Sequence, residues 1–360
     1  WMDYKNNILS RFGDNGAKQP LFMPDIDLWY RWHTARGTLP PGLEKSSLVE
    51  IARELNCPPW VVVTPWQLEF QGIEVTREEV DQVRTIEYHT SAGTLTEKWS
   101  LGVDGDWWQS EYPVKKVEDL DAAEILINAK TYQMDSKISG FEPNNPEIID
   151  VAKLPMSAYA DMLHTVIGFS EGFMLLLGAG KERLTEMLTI FEKKRQKYIH
   201  DIASLPTSII LAPDNLDGQY ISPKVFKDHF LESYQEIAKV LHDHDKKLLV
   251  HVGGNCKHIL PLFAEAGIDG VLGVSGPPQS NATLAEAREI AGPGLTLWGG
   301  ITQDYLVSTH DETFLEKAIE EAMTSAGPDQ RTIIGIADHV PVETEFARLK
   351  KVAALINGDV

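Results

Sequence analysis

Leu248-Leu249-Val250-His251-Val252-Gly253-Gly254 is the stretch on which the fold turns. A run of branched apolar residues closed by two glycines reads as a fully buried strand. Upstream, Phe226, Phe230, Tyr234, Ile237 and Leu241 recur at steps of three and four, one face of a helix that Ser222 and Pro223 open as N-cap and first turn. Downstream, Lys257–Ala266 reads as a helix ended by Gly267. The same beat continues outward. Apolar runs stand at Ser208–Ala212, Gly270–Val274, Leu295–Gly299 and Thr332–Ala337, with helical patterns at Thr283–Ala291, Glu312–Ala326 and Glu343–Ile356. Strands alternating with helices at this spacing imply parallel pairing through crossover helices.

The first half adds three candidate strands, Leu21–Ile26, Trp60–Thr64 and Val166–Ser170. Eight strands fit an α/β protein built as a single (β/α)8 TIM-type barrel over residues 1–360, with an open doubly wound sheet as the competing topology. One stretch breaks the beat. Val83–Tyr88 and Thr94–Trp99 flank a Gly-containing loop and read as a hairpin, so an inserted β excursion is expected at about residues 83–112. Lys115–Ala129 then returns to helix.

The chain carries 33 basic and 53 acidic residues, a net charge of −20, with no basic stripe to receive nucleic acid or an anionic membrane. No apolar run approaches the ~18–20 residues of a membrane span. Cys57 and Cys256 are too few for a disulfide framework and fit a reducing compartment. With no leader-like apolar segment near the start, a cytoplasmic location is expected.

Barrels place their working groups at the C-terminal ends of strands. Asp25, Glu171, Asp214, Asp217, His251, Asp338 and His339 all fall at such positions. His251 interrupts a strand where another branched residue would serve packing better; the alternative is a core histidine bonded to backbone. Asp214, Asn215, Asp217 and Gly218 are equally good turn formers, and Asp338 or His339 could cap a following helix. Taken together, His251, Asp214, Asp338 and His339 could supply a three-ligand zinc site with an open position, though no CxxC or HExxH spacing supports it. Trp29, Trp32, His33, Trp66 and Trp298, also near strand ends, are candidates to line an aromatic substrate mouth with Asp25 and Glu171; the alternative is that large rings fill the core.

Pro20-Leu21-Phe22-Met23-Pro24-Asp25, the Thr90-Ser91-Ala92-Gly93-Thr94 turn, Tyr112-Pro113 and Val117-Glu118-Asp119-Leu120 carry a family resemblance. So do Ile221-Ser222-Pro223, Leu248–Gly254, Ala266-Gly267-Ile268-Asp269, Gly299-Gly300 and Pro341-Val342-Glu343. From about residue 20 to 357 the chain resembles the uroporphyrinogen decarboxylase superfamily, which implies one (β/α)8 barrel. Members that decarboxylate grip an acidic tetrapyrrole with an arginine-rich N-terminal stretch. Here Asp25-Ile26-Asp27-Leu28-Trp29-Tyr30-Arg31-Trp32-His33 is aromatic and acidic, with one arginine. Other members are corrinoid-dependent methyltransferases, many with zinc held by a His-x-Cys pair and a distant cysteine. This chain has His251 but Gly253 at the cysteine's place, and no cysteine near Ala337–His339.

The resemblance therefore implies the substrate component of an O-demethylase. It would move a methyl group from a methoxylated, aromatic substrate to the Co(I) corrinoid of a partner protein. His251, with Asp214 or Asp217, would protonate the ether oxygen or polarise it through zinc. The alternatives are a decarboxylase or a methyltransferase for another methyl donor, and a non-catalytic binding protein on the same barrel. A homo-oligomer is compatible with each.

Overall fold

In chain order the strands are β1 (Trp60–Val63), β2 (Trp66–Phe70), β3 (Glu74–Val80), β4 (Val83–Thr90), β5 (Gly93–Leu101), β6 (Trp107–Glu111) and β7 (Lys130–Met134). They continue as β8 (Ile149–Lys153), β9 (Ile209–Leu216), β10 (Lys247–Val252), β11 (Gly270–Val274), β12 (Thr296–Thr302) and β13 (Thr332–Ala337). The computed structural model describes residues 4–13, 20–103, 105–135, 138, 142, 144–326 and 331–358. The chain divides into two units, one of residues 1–63, 138–154 and 203–360, the other of 64–137 and 155–202.

The first unit holds a seven-stranded parallel sheet in the order β1-β8-β9-β10-β11-β12-β13. Phe22 adds a parallel bridge to Ile334 at the far edge, where Met23 N–H donates to Ile334 O and Ile334 N–H to Leu21 O, each at 2.8 Å. The extended segment at Leu21–Met23 is thus an eighth staves-like neighbour. One buried cluster draws on all eight: Leu21, Met23, Trp60, Ile149, Val151, Ile209, Leu211, Leu249, Leu272, Trp298 and Ile333. Side chains from every strand meeting in one packed interior are the mark of a barrel, and the α/β barrel expected from the sequence is the fold found. Ile8 and Phe12 join that cluster from the N-terminal segment, and Thr296 Oγ1, at the start of β12, donates to Arg11 O at 2.8 Å. That segment plugs the end where strands begin, so the opposite end carries the strand C-termini.

Two expectations are corrected. Val166–Ser170 is not a strand: Met162–Ile167 is a π-helical turn, followed by Gly168 at φ 72°. A short apolar run does not by itself distinguish a strand from buried helix. The strand in question is β8, whose apolar pattern is broken by Asp150, a buried carboxylate that accepts the Glu142 N–H at 3.2 Å. The single helix expected through Phe226–Leu241 is two, Pro223–His229 and Leu231–His242, broken at Phe230. Its apolar face survives the break because Phe226, Phe230 and Tyr234 stay stacked, with ring centroids 5.6 and 6.2 Å apart along the series.

The second unit contains the β excursion, which is larger than expected. Its four-stranded antiparallel sheet runs β3-β4-β5-β6, and β2 pairs separately with β7. The β4–β5 hairpin lies where the sequence placed it, with Thr90 opposite Gly93. Strand β3 went unread because every one of its residues is exposed, leaving no apolar face to detect. Asp81 and Gln82, both at positive φ (51° and 63°), make the tight turn into β4. Lys130, Asp161, Tyr132 and Thr165 form a buried polar knot in this unit: Lys130 pairs with Asp161, whose carboxylate also accepts from the Tyr132 and Thr165 hydroxyls.

Candidate functional site

Side-chain alternation along β10 decides where His251 points. Leu249 faces the barrel interior, so His251, two residues on, shares that face near the strand's C-terminal end. Its ring lies against Gly273, where a Cβ would come within 3.2 Å of His251 Cδ2 and 2.1 Å of Val252 O. Gly273, at φ 106°, lets strand β11 pass close to the imidazole. His251 Nε2 stands 3.0 Å from Asp338 Oδ1, just beyond β13, and His339 Nδ1 lies 3.9 Å from Asp338 Oδ2. Nε2 is shielded from water and faces the Asp338 carboxylate.

Asp25 closes the group. Its carbonyl accepts the Val340 N–H at 2.9 Å, which ties the segment after Met23 to the one after β13. Its Oδ1 accepts the Asp27 N–H at 3.1 Å. Burial, against the help of that hydrogen bond and with repulsion from Asp27, pushes the Asp25 carboxyl up to about 6. Asp338 goes the other way. Burial works against its charge, but the neighbouring His251, and His339 behind it, more than offset this and hold it at about 2. One carboxyl keeps its proton towards neutrality while the other stays ionised, the separation expected where acid and base roles are divided.

The remaining candidates are placed elsewhere. Asp214 does not join His251: it is fully buried, and its Oδ2 accepts the Tyr234 hydroxyl at 2.5 Å from the Leu231–His242 helix. That bond turns the Asp214 carboxylate toward the helix layer, at a stretch where the register of β9 against β10 is irregular. Asp217 does the work of a turn residue, its Oδ1 accepting the Gln219 N–H at 2.8 Å and the Asn255 N–H at 3.2 Å. Trp298 is core: its Nε1 donates to Met23 O at 2.9 Å and its ring meets Trp60 edge-on at 4.5 Å. Trp29 is core too, donating to Thr344 O at 2.9 Å and stacking on Phe346. His33 Nε2 lies 2.9 Å from Val342 O, and half-buried Trp32 carries the Arg36 guanidinium over its ring at 4.2 Å. Trp66 packs on Tyr132 in the second unit, where the exposed Glu171 opens the helix Glu171–Leu177.

Metal binding can be tested on the donors. Zinc takes three or four convergent His, Cys or carboxylate ligands. Asp214 faces away, His251 Nε2 is taken up with Asp338, and a Cβ on Gly253 would lie 1.6 Å from Asn215 Oδ1. The space a His-x-Cys thiolate would need is filled by the Asn215 carboxamide. Among the described residues no three His, Cys, Asp or Glu side chains are grouped to hold a metal ion. The arrangement fits proton transfer and hydrogen bonding better than metal ligation.

The residues that sequence reading undervalued are Asp25, read as a substrate contact, and Asn215, read as a turn. Asn215 does take a left-handed conformation, φ 47°, which asparagine tolerates. The glycine pair at Gly253-Gly254 was the available signal, since its openness makes room for the neighbouring strand end.

A parallel barrel with ionisable groups gathered at one end has the layout of a barrel enzyme. The chain belongs to the uroporphyrinogen decarboxylase (URO-D) family, which matches residues 155–358, more than half of its length. Among solved structures it is similar to a methyltransferase from Methanosarcina mazei, at 13% identity and TM-score 0.60 over 100% of this chain and 99% of that one. It also matches D-psicose 3-epimerase from Clostridium cellulolyticum H10, at 11% identity and TM-score 0.33 over 59% of this chain and 78% of that one. No curated protein matches the sequence. No described helix is long and apolar enough to cross a membrane.

Proposed function

We propose that this protein is a methyltransferase that takes a methyl group from a methoxylated aromatic and passes it to the Co(I) corrinoid of a partner protein. The observation that carries the reading is the cluster of Asp25, His251, Asp338 and His339 at the strand C-termini. Its acid–base character suits an ether, whose oxygen must gain a proton as methyl departs. The full-length similarity to a methyltransferase supports the same class. The partner's Co(I) corrinoid would supply the methyl acceptor; as the C–O bond breaks, the phenolic oxygen takes a proton. Asp25, with its carboxyl pushed up to about 6, is the proton donor. Asp338 holds the His251 imidazole in place at 3.0 Å.

Decarboxylation of a polycarboxylate fits poorly. Arg31, the one arginine beside Asp25, is exposed and bound to Asp27 at 2.7 Å on the same helix. A second reading keeps methyl transfer but replaces the ring with a smaller methyl donor. It is favoured by Trp29 and Trp298, which belong to the packed interior and leave fewer aromatic walls. Incubating the protein with Co(I) cobalamin and a panel of methoxyaromatics, methylamines and methanol separates the readings. Methylcobalamin formed from methoxyaromatics alone supports the first. Formation only from the smaller donors supports the second, and no formation from any contradicts both.

A further inference from the structure

Lys153 is the last residue of β8, and the strand itself fixes where it points. Ile149 and Val151 belong to the barrel interior, so Lys153, two residues on in the same strand, faces it too, at the C-terminal end. The register agrees. Lys153 stands opposite Leu211 of β9, which stands opposite Leu249 of β10, and both leucines are part of the interior cluster. Lys153 is half-buried, so it is open to solvent while apolar side chains flank it on that face. Packing alone would be served better by another branched apolar residue, since an interior ammonium gives up hydration that such a residue never had. Burial lowers the Lys153 ammonium below the ordinary lysine value, because the charged form is the one that loses solvent. Burial lowers Lys194 and Lys246 as well, but these spend their protons on backbone carbonyls outside the barrel interior. Lys194 donates to the carbonyls of Ile127, Asn128 and Lys130, and Lys246 to Leu205 O at 2.9 Å.

We propose that Lys153 is a nucleophilic amine of the barrel end that captures aldehydes of apolar body as imines. A lysine desolvated beside apolar walls holds more of its neutral form, and the neutral amine is the nucleophile. In the step its lone pair forms the C–N bond to the carbonyl carbon, and one N–H proton passes to the carbonyl oxygen. The hydroxyl so formed then leaves with the second N–H proton as water, and the C=N bond closes. No oxidant or reductant is consumed. Val151, Leu211 and Leu249 supply the apolar wall that favours an apolar aldehyde over a hydrated one. This activity goes beyond methyl transfer and does not rest on it.

The test uses the full chain without corrinoid, benzaldehyde as the probe, and cyanoborohydride to fix each imine as a stable benzylamine. Peptide mass mapping then reads which lysines carry the benzyl group, and how fast. Lys153 should be modified severalfold faster than any exposed lysine. Lys153→Arg keeps a cation at the position and should remove the fast phase while slow labelling of the other lysines is unchanged, with thermal unfolding checking that the variant is folded. Where that variant does not fold, the wild-type map alone decides. Labelling that follows exposure only, or a fast phase that survives in Lys153→Arg, overturns the inference. So does a Lys153 that stays unmodified by benzaldehyde yet is required for benzoate to bind, which makes it an anion contact instead. Methyl transfer is measured with a different reagent, so its success or failure leaves each of these outcomes standing.

Discussion

Asp25 and Asp338 sit at one end of the barrel yet titrate at opposite limits, about 6 and about 2, because one faces burial and carboxylates while the other faces two imidazoles. Donation by Asp25 requires its protonated form. The methyl-transfer rate should therefore be highest below pH 6 and fall roughly tenfold per unit above it, as the protonated fraction does. Asp25→Asn should be slow and lose that dependence, measured by single-turnover kinetics across pH. Asp214 belongs to a different account. Tyr234→Phe removes the hydroxyl that serves it and should cost about 1–3 kcal/mol of stability in urea titration, while the activity per folded molecule is unchanged. His251 was legible in the sequence because a polar residue interrupted a strand that packing alone would have filled. Asp214 was misplaced because a sequence shows that a carboxylate lies at a strand end but not which side of the barrel wall it faces.

At the scale of elements, the junction of β9 and β10 explains why a thiolate site is missing. Gly253→Cys would drive a side chain into the Asn215 carboxamide, 1.6 Å from its Cβ position. The substitution should destabilise the protein by about 1–3 kcal/mol, as overpacking does, and Asn215→Gly in the same chain should relieve most of that loss. Thermal unfolding of the two variants checks it. The later strands were readable because β11, β12 and β13 are buried on both faces and so present unbroken apolar runs. Strand β8 was not, because Asp150 breaks its run, and β3 was not, because both its faces meet water. Element type was legible where burial imposed a repeated pattern, and obscure where polar contacts broke the run or, as at Val166, where the buried run was too short to tell strand from helix.

Across the molecule, the sequence's alternation identified an α/β barrel although one of its eight assigned strands was wrong, since the architecture depends on the repeated crossover rather than on any single strand. The rings expected at the mouth show the opposite case: composition reveals that tryptophans are abundant, and only packing reveals that Trp29 and Trp298 are interior. Trp298→Ala should cost about 3–5 kcal/mol, the range for emptying a large aromatic from a core, seen as a lowered denaturant midpoint. The central claim, however, concerns chemistry. The most direct measurement follows Co(I) cobalamin by absorbance after mixing with guaiacol and either the wild-type protein or His251→Ala. The account predicts stoichiometric methylcobalamin and the demethylated phenol with the wild type, and a rate reduced about 100-fold or more in the variant, the size of a lost acid–base contribution. Absence of methylcobalamin with the wild type, or an unchanged rate in His251→Ala, would contradict it.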